Sequence, residues 1–229
     1  MTGVEYLPRR IAEVARSLQA QTGSGDTLDL AVQLAVEVVE GAEDAAITLV
    51  RRAGIVETPA ATSDRAALVD RIQAELKEGP GLSAVWDEEV LSCPDVTAET
   101  PWPQWAARTV HETGFRSLLA FRMFSHNERL GVLSLYSTRP GAFTTADVEG
   151  GLSLAAHAAI AITIARYSDD MEVALDSRSL IGQATGILME RYDIDAVRAF
   201  GALRRISQHS NVKLHQVAAE LTRTRNLPS

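Results

Sequence analysis

Basic residues are concentrated at the C-terminal end of this chain. Residues 178–229 hold eight Arg and Lys residues against four Asp and Glu residues, a net charge of +4. The whole chain of 229 residues has 22 basic and 30 acidic residues, so residues 1–177 carry a net charge of −12. Because phosphate groups attract clustered cations, any nucleic acid is expected to bind at the C-terminal end. Charge alone leaves open the alternative that these cations only solvate a helical bundle.

The other reactive side chains are not spaced for catalysis. Cys93 is the single cysteine, which excludes an internal disulfide, and we expect it in a loop as a free or packed thiol. The acidic pairs Glu88-Glu89 and Asp169-Asp170 would diverge by about 100° on a helix, so they cannot converge on one substrate. The histidines lack metal-ligand spacing; they are His111, His126, His157, His209 and His215. We therefore expect no enzyme, no metal and no cofactor.

The composition is that of a globular protein, with 46% hydrophobic and 23% charged residues. No uncharged apolar run reaches the roughly 18 residues of a transmembrane helix, and the N-terminus lacks the apolar core of a signal peptide. A single cysteine suits a reducing compartment. These features predict a cytoplasmic protein that does not enter a membrane.

The N-terminal two thirds of the chain alternate helical and strand-like patterns. Helical spacing of apolar residues is found at 7–18, 26–39, 64–77 and 105–112, and hairpin patterns at 45–58 and 117–137. Asp26 or Thr27 is the expected cap of the second helix. Residues 87–103 are rich in acids and prolines and are interpreted as irregular. Because the hairpins do not alternate with helices, we predict an α+β domain with an antiparallel sheet flanked by helices.

A long helix is predicted from about Ala146 to Arg191, after a cap at Thr144 or Thr145. Its seam has alternating steps of four and three residues, a 3.5-residue period: Ile160, Ile164, Tyr167, Met171, Ala174, Arg178, Ile181, Thr185, Leu188 and Tyr192. Such a seam favours a coiled coil between two copies of the chain, with packing against its own domain as the alternative. We prefer the homodimer because no other segment obviously covers the seam.

Two shorter helices follow the long one and complete a small all-α module. Asp193 or Asp195 is the expected cap of the first, Asn211 ends it, and the second runs across 214–221. The spacing assigns Met189, Phe200 and Leu203 to the core of this module.

Several motifs in the N-terminal part resemble those of a GAF domain. They lie at residues 78–84, 101–103, 112–120, 130–136 and 142–144. The resemblance covers residues 7–167 and implies a sensory α+β fold, with a pocket on one face of the sheet that holds a small ligand or only supports dimerisation. Residues typical of a cyclic-nucleotide, haem or bilin pocket are not recognisable, so the ligand stays unknown.

The C-terminal part resembles an ANTAR domain, most clearly in RSLIGQATGILMER at residues 178–191. Ala199-Phe200, Leu203, Ser207-Gln208, 211–214 and 217–218 match the same family. The resemblance implies a homodimer that binds RNA, specifically paired hairpin loops in leader transcripts, and prevents a terminator from forming. Thr185 stands where many members have lysine, which removes one cation.

RNA loops present splayed bases and phosphates, so their recognition needs cations, hydrogen-bonding side chains and points of close approach. The candidate RNA-binding residues are Arg178, Gln183, Ala184, Thr185, Gly186, Arg204, Arg205, Ser207, Asn211 and Lys213. Gly186 would permit close approach, at a cost of about 1 kcal/mol within a helix. The alternatives are tight helix packing for Gly186, helix termination for Asn211 and a solvated surface for Arg204.

We therefore predict a GAF sensory domain at 7–167 and an all-α three-helix ANTAR domain at 168–229, joined by a long coiled-coil helix. The expected function is signal-responsive transcription antitermination through RNA. Two alternatives stay open. One is a DNA-binding regulator in which 214–221 begins a helix-turn-helix. The other is a ligand-binding or protein-interaction module that binds no nucleic acid.

Overall fold

The computed structural model describes residues 6–50, 56–82, 88–98, 101–125 and 128–226. The chain divides into an N-terminal unit that ends at Arg166 and a C-terminal unit that begins at Tyr167. The turn of the first hairpin and His126 lie outside the described residues. The domain boundaries 7–167 and 168–229 stay predictions.

The N-terminal unit contains a five-stranded antiparallel sheet of order β2-β1-β5-β4-β3. The strands are β1 (Asp44–Val50), β2 (Val56–Ala61), β3 (Val90–Cys93), β4 (Ser117–Ser125) and β5 (Glu128–Ser137). The helices are α1 (Tyr6–Gln19), α2 (Ser24–Val38), α3 (Asp64–Leu76), α4 (Pro103–Thr113) and the first part of α5 (Thr145–Tyr192). Both predicted hairpins and the α+β class are confirmed.

Two details of the sequence interpretation are wrong. Residues 87–103 are not irregular throughout, because β3 pairs with β4 at the edge of the sheet, and Cys93 is a buried strand residue rather than a loop residue. Helix α2 begins at Ser24 with Gly23 as its N-cap, so neither Asp26 nor Thr27 caps it. The hydroxyl of Thr27 instead donates to the Gly23 carbonyl oxygen at 2.8 Å.

Each face of the sheet has its own apolar core. Residues of α1, α2 and α5 pack on one face around Phe121 and Leu133. On the other face, residues of α3 and α4, Trp105 among them, form a core with Tyr136 of β5. Phe115 stacks on Tyr136 with ring centroids 4.9 Å apart.

Helix α5 begins at a reciprocal cap. The Thr144 amide donates to Asp147 Oδ2 at 2.8 Å, and the Asp147 amide donates to Thr144 Oγ1 at 3.3 Å. Gly151 allows the helix to lie against the sheet, because a Cβ there would stand 2.3 Å from the Phe121 ring. Among the described residues, α5 is the one helix long and apolar enough to cross a membrane, but half of its most apolar window is buried in the protein.

The C-terminal unit is a three-helix bundle formed by the end of α5, α6 (Ala196–Ser210) and α7 (Leu214–Thr224). Asp195 caps α6, since its carboxylate accepts the Arg198 amide at 2.8 Å. Asn211 ends α6 in the left-handed conformation, with φ +53°. These two positions agree with the predicted start and end of the helix.

Candidate functional site

Side chains buried in the core of the three-helix bundle are not accessible to a binding partner. Its fully buried residues are Ala184, Leu188, Ala199, Leu203, Val217, Ala218 and Leu221. Ala184 was expected at an RNA surface, but its methyl group is completely buried, so it supports packing and cannot contact a ligand. Leu203 is in the core as predicted.

Met189 and Phe200 are not core residues, contrary to the sequence interpretation. Their exposed fractions are 37% and 42%, while Leu203 on the same helix as Phe200 is fully buried. A three-helix bundle encloses only a narrow stripe of each helix, and Phe200 lies beside that stripe rather than within it. Its ring therefore offers an exposed aromatic surface.

One side of α6 combines this ring with charge and hydrogen-bonding groups. Arg204 and Ser207 lie four and seven residues after Phe200, and these spacings place the three side chains on the same helix face. Arg204 is exposed and Ser207 is half-buried. Arg205 is exposed too, but adjacent residues diverge by about 100° on a helix, so it points to a different flank.

The loop between α6 and α7 is held by Ser207. Its Oγ donates to the Val212 carbonyl oxygen at 2.6 Å, and the Val212 amide donates back to the Ser207 carbonyl oxygen at 3.2 Å. The loop presents the exposed side chains of Asn211 and Lys213. The Ser207 hydroxyl is therefore already engaged in the loop. Asn211 ends helix α6, and its side chain is exposed at the surface.

Helix α5 contributes two further candidates at the surface. Arg178 is exposed, and Thr185 is half-buried with its hydroxyl donating to the Ile181 carbonyl oxygen at 2.7 Å. Gly186 is exposed, and a Cβ built there would meet no atom within 4 Å. Packing within the described chain therefore does not explain this glycine.

A shallow groove runs between α5 and α7. It is lined by Gln183, Gly186, Ile187, Glu190, Arg191, Thr222 and Arg225. The structure thus brings Gln183 and Gly186 together with two exposed cations, Arg191 and Arg225, that the sequence analysis did not select. Arg225 belongs to this groove because α7 extends to Thr224, three residues beyond the predicted end.

The predicted seam of α5 divides into two parts with different surroundings. Leu188 is buried in the three-helix bundle and Ile181 packs against that core. The expectation that no other segment covers the seam is therefore wrong for its C-terminal part. In the earlier part, Ile160, Ile164 and Tyr167 are 54%, 59% and 68% exposed.

Ile160 and Ile164 also line an apolar groove on the N-terminal unit. The groove has a volume of about 480 Å³ and includes Phe124, which is 52% exposed. Large aliphatic and aromatic side chains gathered in one exposed patch are typical of a protein interface.

A second pocket, of about 370 Å³, lies on the α3 side of the sheet. Asp70 in this pocket accepts hydrogen bonds from the hydroxyls of Thr48 and Thr58, the latter at 2.6 Å, and from Gln73 Nε2 at 2.9 Å. Burial raises the pKa of Asp70 above its ordinary value of 3.8, and the three hydrogen bonds oppose that shift. Burial, together with the charge of Asp70, also raises the pKa of Tyr136, so its phenol is neutral at physiological pH.

Within the described ranges, no three His, Cys, Asp or Glu side chains come together as metal ligands.

Comparisons with known proteins identify both parts of the chain. Residues 21–163 match the GAF domain family and residues 169–221 match the ANTAR domain family. The search of curated proteins found no match to this chain. A GAF domain is a sensor domain, and an ANTAR domain is an RNA-binding antitermination domain.

Solved structures share the N-terminal fold at low sequence identity. The GAF domain of a phosphoenolpyruvate-protein phosphotransferase from Coxiella burnetii is 16% identical, with a TM-score of 0.58, covering 74% of this chain and 99% of that one. The GAF domain of the corresponding Acinetobacter protein is 15% identical, with a TM-score of 0.55, covering 73% and 97%. The photosensory core module of a Stigmatella aurantiaca phytochrome is 11% identical, with a TM-score of 0.60, covering 90% and 46%. The chain belongs to the GAF domain family and carries an ANTAR domain after its GAF domain, the domain order of a GAF-ANTAR regulator.

Proposed function

We propose that this protein is a cytoplasmic, non-enzymatic regulator that binds paired hairpin loops of leader transcripts as a homodimer and so prevents termination. The GAF domain would receive a signal, and α5 would pass it to the ANTAR domain by a shift between dimer geometries. The observation that carries the proposal is the exposed surface of the C-terminal unit. There, the exposed cations Arg191 and Arg225 line one groove with Gly186, a glycine that packing within the described residues does not require.

The chemistry of this surface fits RNA loops. Arg178, Arg204, Arg205 and Lys213 would contact phosphates, and Asn211 and Gln183 would hydrogen-bond to base edges. Unstacked bases stack on aromatic side chains, and this stacking contributes about 1–3 kcal/mol per base to binding. The exposed ring of Phe200 beside Arg204 supports its inclusion as a stacking residue.

The homodimer is supported by the exposed apolar side chains of α5. Ile160, Ile164 and Tyr167 begin the 3.5-residue seam, and Ile160 and Ile164 adjoin exposed Phe124 in the same apolar groove. A second copy with the same stripe would bury these side chains. The coiled coil is thereby proposed for the part of the seam that precedes the three-helix bundle.

The RNA target can be found by crosslinking the protein in cells and sequencing the bound transcripts. Affinity for the recovered hairpin RNA should then be measured against salt for the wild type and three variants. Arg204→Ala should weaken binding and reduce the salt slope by about one, because one phosphate contact is lost. Phe200→Leu should weaken binding about 5- to 100-fold and leave the slope unchanged, because stacking releases no counterion.

Arg16→Ala is the matched control, since Arg16 is an exposed cation on α1. It should bind RNA like the wild type. Recovery of no RNA would favour a protein-interaction module, and tighter binding to duplex DNA than to hairpin RNA would favour a DNA-binding regulator. Unchanged affinity of Arg204→Ala would remove that residue from the site.

A further inference from the structure

The pocket on the α3 side of the sheet contains a carboxyl group, that of Asp70, whose hydrogen-bond partners among the described residues are all neutral. All three groups that hydrogen-bond to Asp70 are neutral: two Thr hydroxyls and the Gln73 amide. Among the described residues, no Arg, Lys or His forms an ion pair with its carboxylate. Buried carboxylates in proteins are normally paired with a cation or a metal, because removal from water penalises the charge. Asp70 therefore has no ion-pair partner among the described residues, and a bound cation would stabilise its ionised form.

The hydrogen-bonding capacity of Asp70 is not exhausted. A carboxylate has about four acceptor positions, and here Oδ2 takes two donors while Oδ1 takes one. Gln73 is fixed in turn, because its Oε1 accepts the Gly81 amide at 2.7 Å. The network thus holds Asp70 in one position with a remaining acceptor site on Oδ1.

The rest of the pocket has the size and lining of a small-molecule site. Its volume of about 370 Å³ falls within the usual range of such sites. Ala67 and Ala74 supply apolar walls, and Arg71 is an exposed residue of the lining.

We propose that this pocket binds a small organic cation, an amine, amidine or guanidine, whose N–H groups donate to Asp70 while its apolar part lies against Ala67 and Ala74. The exposed guanidinium of Arg71 disfavours a second positive charge on the ligand. This inference rests on the proposed sensing role of the N-terminal domain and names the chemical class of its signal.

Three probes of the same size and shape but different charge test the proposal. Binding of benzamidine, benzamide and benzoate to the full-length protein should be measured by calorimetry at neutral pH. Benzamidine should bind at least about tenfold more tightly than benzamide, because a charge-assisted hydrogen bond to a carboxylate is stronger than a neutral one. Benzoate should bind most weakly. Equal affinities, preferred binding of benzoate, or no binding of benzamidine would each overturn the proposal.

Two variants locate the binding. Asp70→Asn should remove the preference for benzamidine, whereas Asp64→Asn, which changes an exposed acid on the same helix, should keep it. A preference that survives in folded Asp70→Asn protein would overturn the assignment. If that variant does not fold, the ranking of the three probes on the wild type decides. None of these measurements involves RNA, so failure of the proposed RNA binding would be seen separately.

Discussion

Replacement of Gly186 by alanine should separate stability from RNA binding. Alanine is more favourable than glycine in a helix interior by about 1 kcal/mol, and Gly186 lies within α5. The added Cβ would meet no atom within 4 Å, so no steric cost offsets that gain. We therefore expect Gly186→Ala to raise the free energy of unfolding of the C-terminal unit by about 0.5–1 kcal/mol.

The effect on RNA binding should have the opposite sign. If the RNA backbone approaches α5 at Gly186, the methyl group would occupy the space that the RNA needs. A loss of about 1.4 kcal/mol of binding free energy corresponds to tenfold weaker affinity. Denaturant unfolding followed by circular dichroism and a fluorescence-anisotropy titration with the crosslinked hairpin RNA would measure the two quantities on the same protein.

Gly201→Ala is the matched control on α6, because a Cβ there would also meet no atom within 4 Å. It should gain similar stability and keep wild-type affinity. If Gly186→Ala binds RNA as tightly as the wild type, the close-approach explanation of Gly186 is refuted, whatever happens to stability.

Three further predictions concern other parts of the chain. Leu203→Ala removes a fully buried side chain and should cost about 2–5 kcal/mol of unfolding free energy, measured by denaturant titration; a cost below about 1 kcal/mol would contradict its place in the core. Ile164→Asp should shift the protein from dimer to monomer in sedimentation experiments without unfolding it, since the side chain is 59% exposed, and an unchanged dimer would exclude this stripe from the interface. Because burial raises the pKa of Asp70 in the folded chain, ionisation of this group opposes folding above pH 4. The stability of the wild type relative to Asp70→Asn should accordingly fall as pH rises from about 4, and a constant difference would contradict the shift.

Most of the fold could be predicted from local patterns. The helices and the two hairpins follow from apolar spacing and turn residues, which act within a few positions of the chain. Strand β3 was missed because it has only four residues, and its pairing with β4 involves residues more than twenty positions away. Its acidic and proline-rich surroundings conceal a strand that only the sheet edge stabilises.

The candidate sites could be predicted only in part. The cations and Gly186 are identifiable from residue type, but the burial of Ala184 and the exposure of Phe200 depend on how three helices meet, and apolar spacing cannot resolve neighbouring positions on one helix. The sequence does not indicate the Asp70 pocket, because its partners Thr48 and Thr58 come from two different strands. Only the tertiary fold shows that this half-buried carboxyl group has neutral partners among the described residues.

The most direct test of the account is the stoichiometry of the protein on its RNA. The mass of the complex with a crosslinked transcript that carries two hairpins should be measured by sedimentation or native mass spectrometry, alongside the same transcript with one hairpin deleted. We predict two protein chains on the two-hairpin RNA and markedly weaker binding to the single hairpin. A single chain on the intact transcript, or equal affinity for both RNAs, would contradict recognition of paired loops by a dimer.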